Sequence, residues 1–147
     1  ASDAIESGKA FLKFKQMVSE QGGNTEVLDD YDKFAQAKFC KEIVSTNEGY
    51  INCLDAEKCG MASVILGAGR EKKDAQIDSS AGIVFNKKIG DYVHKGDIIA
   101  KIYSSDSEKL YVGEDVLRKA IKITQSEVPT LPLIQARVTK EGTERFI

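Results

Sequence analysis

The chain has 147 residues, of which 41% are hydrophobic and 30% are charged. This balance is typical of a compact globular body of one or two small units and argues against disorder. Basic residues (21) nearly cancel acidic residues (23), so no net field attracts nucleic acid or an anionic membrane. No apolar run reaches the ~20 residues of a membrane span and no signal segment opens the chain, which predicts a cytoplasmic protein.

The chain opens with Ala1-Ser2-Asp3 and no methionine, already inside a helical pattern, which predicts truncation of a longer polypeptide at an exposed segment. Apolar residues at helical spacing predict an amphipathic helix over residues 3–21 that stops at Gly22-Gly23. Residues 24–34 are acidic and rich in turn formers, so they predict a connector. The apolar stripe of the helix includes Phe11, Phe14 and Val18.

The next part of the chain predicts two strands and a buried helix. Alternating patterns indicate short strands at residues 37–44 and 49–54, around a turn at residues 46–48. Asp55 is a favourable helix N-cap, and the residues after it are apolar nearly all round, so this helix is expected to be buried. Gly67 stands where a left-handed backbone conformation ends such a helix.

The second half of the chain continues the mixture of strands and helices without regular alternation, which favours an α+β fold. Gly113 weakens the first half of the helix predicted there. The predicted elements are a polar stretch at 70–80, short strands at 81–85 and 98–103 with a glycine-marked crossing between them, a helix at 108–122, a last strand at 131–138 and a fraying end at 139–147.

The cysteines Cys40, Cys53 and Cys59 are odd in number and lack the two-residue spacing of a redox pair or a zinc knuckle. Because cysteine is among the most frequently buried residue types, we expect three buried free thiols.

His94 is the single histidine of the chain and lies in a glycine-flanked turn beside a lysine. As a general base it would need an orienting carboxylate, for which Asp91 and Asp97 are the nearest in sequence, and a target within hydrogen-bond reach. A solvated turn histidine is the favoured interpretation. One histidine also makes a nitrogen-rich metal site hard to build.

A possible phosphate cradle is the segment Gly67-Ala68-Gly69-Arg70, followed by Lys72 and Lys73. In phosphate-binding loops the glycines precede a helix and aim its positive end at the anion, whereas here they follow a helix and lie at its negative end. The favoured interpretation is therefore chain reversal. Serine nucleophile motifs of the Gly-x-Ser-x-Gly type do not occur, and no carboxylate pair can be singled out as an acid and base.

Three stretches together resemble the pyrimidine-nucleoside phosphorylases. The likeness runs in order from about Ile5 to Ile134 and is closer to the broad-specificity bacterial enzymes than to strict thymidine phosphorylases. The stretches are residues 7–18 running into Gln21-Gly22-Gly23; Leu66-Gly67-Ala68-Gly69-Arg70 with Ile77-Asp78 and residues 81–84; and residues 86–91 with Val93, Lys95-Gly96 and Ile102-Tyr103-Ser104.

This resemblance implies a parent enzyme, a pentosyltransferase, that cleaves uridine, thymidine or deoxyuridine with inorganic phosphate. The family's phosphate-binding and pyrimidine-holding residues come from its amino-terminal and central parts, and their motifs are absent here. The resemblance therefore assigns no catalytic, substrate-binding or metal-binding residue to this chain. Potassium ligands, where the family has them, lie upstream, so no cofactor is expected in the chain. The implied partners are the rest of a homodimeric parent and its two substrates, with no nucleic acid and no membrane.

The resemblance also implies that the chain consists of two parts. Residues 1–36 would be a helix and connector belonging to the preceding central domain, and residues 37–147 the carboxy-terminal domain, an α+β unit of the hammerhead or barrel-sandwich type. The first helix would lose part of its packing partner, which predicts an exposed apolar stripe along it. The segment Leu110-Tyr111-Val112-Gly113 and the tail after Ile134 depart from the family pattern.

A rival resemblance is to biotinyl and lipoyl carrier domains, because the Gly90–Asp97 turn followed by an isoleucine-rich strand is similar to theirs. A carrier needs a modified lysine at a hairpin tip, usually within Met-Lys-Met or Asp-Lys-Ala, and neither tripeptide occurs. Lys101 and Lys109 are the candidates nearest the right place. A generic interaction module is the other alternative.

Overall fold

A computed structural model describes residues 1–70, 72–129 and 132–146. The chain divides into two compact units, Ala1–Gln36 and Ala37–Ile147, which we call unit 1 and unit 2. Both helices and strands occur, and the α+β prediction is confirmed. The hammerhead or barrel-sandwich arrangement stays a prediction.

Unit 1 contains two helices, α1 (Ser2–Glu6) and α2 (Lys9–Glu20), where the sequence predicted one. The break comes at Gly8, whose φ of 72° is left-handed, and the Ser7 hydroxyl donates to the Asp3 carbonyl at the end of α1. The predicted connector contains two 3₁₀ turns, Glu26–Leu28 and Tyr31–Lys33.

The apolar face of unit 1 is open within the unit, since neither α1 nor α2 contains a buried residue. Phe11 is 40% exposed and Phe14 is 44% exposed, as predicted. Val18 differs, because it is only partly exposed and a Cβ at Gly23 would lie 2.7 Å from its Cγ1 atom. The glycine therefore lets the chain fold back onto this valine.

The described residues of unit 2 form two three-stranded antiparallel sheets, in the orders β1-β5-β3 and β4-β2-β6, and a separate β7-β8 hairpin. The helices α3 and α4 accompany them. The bounds are β1 Phe39–Val44, β2 Gly49–Leu54, α3 Ala56–Ser63 with a wider turn at Val64–Ala68, β3 Gly82–Phe85, β4 Tyr92–Val93, β5 Ile98–Ser104, α4 Ser107–Ala120, β6 Ile121–Thr124, β7 Ala136–Thr139 and β8 Gly142–Arg145.

The two strands predicted around residues 46–48 exist but lie in different sheets. Ser45 accounts for the separation, because its amide donates to the Asp97 carbonyl and its carbonyl accepts from the Gly96 amide. These bonds hold the residue after β1 to the turn before β5. The chain then leaves this sheet, and β2 pairs with β4 and β6 in the second sheet. The predicted strands at 81–85 and 98–103 pair directly, as β3 and β5.

Three expectations about helices and strands are corrected. The predicted helix at 108–122 ends at Ala120, because Ile121 is extended (φ −97°, ψ 125°) and packs with Ile123 against a buried cluster as part of β6. The fraying end predicted at 139–147 instead contains β8. The strand predicted at 131–138 is β7 at Ala136–Thr139, and its first predicted residue, Leu131, lies outside the described residues.

Two expectations about burial are also corrected. The helix α3 is buried on one side only, since Ala62 is fully buried while Met61 is 52% exposed. The three thiols are free, but Cys40 is exposed and Cys53 and Cys59 are half-buried. Cys40 lies on β1, a strand at the edge of its sheet.

The described part of unit 2 has two apolar clusters in its core. The larger joins β1, α3, β5 and α4 through side chains with no exposed surface, among them Ile43, Leu66, Ile102 and Leu117. The smaller joins β2, β4 and the start of β5 through Ile51, Val93 and Ile99. Burial of such aliphatic side chains contributes roughly 1.5–3 kcal/mol each, which makes these clusters the main source of stability.

Candidate functional site

The loop that follows α3 carries the glycine-rich segment singled out from the sequence. Gly67 has a φ of 116°, and its carbonyl accepts from the Asp78 amide at 2.9 Å. The Leu66 carbonyl accepts from the buried Ser104 hydroxyl at 2.7 Å. The carbonyl groups at the negative end of this helix therefore already accept hydrogen bonds from other residues of the domain. This favours a segment that reverses the chain over one that binds an anion.

Asp78 ties this loop to the junction between β5 and α4. One carboxylate oxygen accepts from the Ser80 amide at 2.9 Å and the Ser80 hydroxyl at 2.5 Å, and the other accepts from the Ser105 amide at 3.1 Å. The hydroxyls of Ser80 and Ser105 and these amides hold the pKa of Asp78 well below its usual range. Sequence reasoning quoted Asp78 only for the family resemblance and missed this role, although Asp-Ser-Ser is an Asx-turn pattern.

A second polar cluster braces β1 against α4. Glu114 pairs with Lys41 at 2.5 Å and with Arg118 at 2.9 Å, and Arg118 also donates to the Val44 carbonyl at 3.2 Å. Desolvation by itself raises the pKa of Glu114, but hydrogen bonds from Lys41 and Arg118 outweigh it, so the pKa lies below its usual value. The carboxylate is therefore committed to structure. Sequence reasoning did not find this cluster, because Lys41 is remote in sequence from α4.

His94 lies where the sequence placed it, in an exposed turn. Its side chain is 72% exposed, with Nδ1 3.8 Å from the Asp97 carboxylate. The pKa of Asp97 is lowered, first by the hydrogen bond from the His94 amide and also by Lys87. Asp91 accepts from the Lys88 amide at 2.7 Å, so it closes the turn before β4 and does not orient the histidine. A solvated turn histidine fits this geometry.

Neither lysine named for the carrier alternative, Lys101 or Lys109, lies at a hairpin tip. Lys101 is in the middle of β5 and pairs with Glu42 on β1 at 3.0 Å. Lys109 is in the first turn of α4. Because a carrier lysine must project from a hairpin tip, the fold argues against biotinyl or lipoyl attachment at either one.

A groove of about 200 Å³ opens beside the turn between β1 and β2. Four isoleucines, residues 44–47 and Arg118 line it, and the isoleucines are Ile43, Ile99, Ile121 and Ile123. Within residues 1–70, 72–129 and 132–146 no group of three or more metal-ligating side chains comes together. No helix among these residues has the length and apolar character needed to cross a membrane.

The fold and these clusters define a small α+β domain. The carboxylates with the most hydrogen-bond and ion-pair partners hold its helices, strands and loops together. Residues 50–124 match the family description "Pyrimidine nucleoside phosphorylase C-terminal domain". The chain belongs to the pyrimidine-nucleoside phosphorylase family, as a carboxy-terminal domain, which confirms the resemblance read from the sequence.

Relatives in three bacteria extend this match. The chain is 41% identical over 133 residues to a pyrimidine-nucleoside phosphorylase of Staphylococcus epidermidis, which covers 88% of this chain and 30% of the relative. The corresponding enzyme of Geobacillus stearothermophilus is 37% identical over 133 residues, covering 87% and 30%. That of Staphylococcus aureus is 39% identical over 117 residues, covering 80% and 26%. The chain thus spans at most 30% of the length of these relatives.

Proposed function

We propose that this chain is the carboxy-terminal part of an enzyme that cleaves uridine, thymidine or deoxyuridine with inorganic phosphate. The products are the free base and a pentose 1-phosphate. The observation that carries the proposal is the family match over residues 50–124 together with 41% identity to a named pyrimidine-nucleoside phosphorylase. The sequence does not favour uridine over thymidine.

In the proposed reaction, a phosphate oxygen forms a bond to the anomeric carbon as the bond from that carbon to the base nitrogen breaks. The transition state has oxocarbenium character, so catalysis depends on positioning two reactants and stabilising developing charge. We propose that the residues that position the reactants and stabilise the developing charge lie outside this chain. In support, Asp78, Asp97 and Glu114 are each held by internal donors. No cofactor is proposed for the chain, and any potassium ion of the parent would bind upstream.

Unit 1 supplies the contact with the rest of the enzyme in this proposal. Five large apolar side chains of α1 and α2 are at least 40% exposed, and no residue of either helix is buried within the unit. Helices this short gain most of their stability by packing an apolar face. We propose that this face completes the preceding domain of the parent. The exposed set is Ile5 73%, Phe11 40%, Leu12 65%, Phe14 44% and Met17 49%.

The parent is proposed to be a cytoplasmic homodimer whose main contacts lie upstream. The free thiols support a reducing compartment, because exposed cysteines such as Cys40 tend to oxidise outside the cell. Nucleic acid and membrane are not proposed as partners, since basic (21) and acidic (23) residues nearly cancel.

Two assays test the proposal. The 147-residue chain is incubated with phosphate and uridine, thymidine or deoxyuridine, with the Geobacillus stearothermophilus enzyme as positive control, and release of free base is measured. We expect no turnover by the chain alone, and turnover above the buffer rate would overturn the assignment of catalytic groups.

The second assay is a chimera in which this chain replaces the matching segment of the Staphylococcus epidermidis enzyme. We expect an active, soluble phosphorylase, because the two segments belong to one family and are 41% identical over 133 residues. The matched control is the same chimera with Phe14→Asp, which introduces a charge into the apolar face of α2 and should lower the yield of folded enzyme. A folded but inactive chimera would contradict the proposed role.

A further inference from the structure

We draw no further inference here: the strongest candidate, the groove of about 200 Å³ beside the turn between β1 and β2, carries none, because Ile43 and Ile99 in its lining have at most 2% of their surface exposed and Arg118 already bonds to Glu114 and to the Val44 carbonyl.

Discussion

Gly113 of α4 lies directly against Leu66, in the wider turn that follows α3. A Cβ atom at position 113 would come within 2.8 Å of Leu66 Cγ and Cδ2, and Leu66 has no exposed surface. The glycine that weakens α4 as a helix is therefore the residue that lets the two helices approach. Close packing in the core offsets the low helix propensity of glycine.

Gly113→Ala is expected to destabilise the protein by about 1–2 kcal/mol, because overpacking costs ~1–3 kcal/mol and the gain in helix propensity returns up to ~1 kcal/mol. Urea denaturation measures the change. The control is Gly60→Ala in α3, where a Cβ would meet nothing within 4 Å and a small stabilisation is expected. Equal effects of the two substitutions would show that the contact with Leu66 does not limit packing.

Asp78→Asn is expected to lower the free energy of unfolding at neutral pH by about 1 kcal/mol, a value reduced for solvent screening at a half-buried site. Because the folded-state pKa of Asp78 is depressed, its contribution is complete above the unfolded pKa of about 3.9 and is lost as pH falls through the folded pKa. The wild type should therefore lose more stability than the variant below about pH 5. Unfolding curves at several pH values check this, and parallel pH profiles for the two proteins would contradict it.

Glu114→Ala is expected to destabilise unit 2 by about 1–2 kcal/mol, since Lys41 and Arg118 lose their shared partner. The matched control is Asp115→Ala, whose pair with Lys119 is about two-thirds exposed on both sides and is worth less than about 0.5 kcal/mol. Thermal unfolding of both variants gives the comparison. A loss no greater at Glu114 than at Asp115 would mean that the brace between β1 and α4 contributes little.

Thiol reactivity should follow exposure. Cys40 is exposed and is expected to react first with an aromatic disulfide reagent, while Cys59 reacts most slowly because burial raises the pKa of its thiol. Cys40→Ser should remove the fast phase without changing the unfolding curve. If the fast phase survived in that variant, the assignment of Cys40 as the accessible thiol would be wrong.

Several features of this chain were predictable because their causes are local. Asp55 caps α3 through its contact with the Lys58 amide, and Gly67 takes the left-handed conformation expected at the end of that helix. Both follow from the conformational preferences of single residues. The two Gly-Asp pairs around Tyr92 predicted tight turns, and these form.

Residue patterns alone therefore predicted the α+β class, the approximate places of most helices and strands, and the family. Three features came to light with the folded structure: β1 and β2 separate into two sheets, residues 121–124 form β6 and not the end of a helix, and Asp78 and Glu114 act as braces. Caps and turns depend on a few neighbouring residues, whereas strand partners and buried ion pairs depend on contacts between residues far apart in the chain.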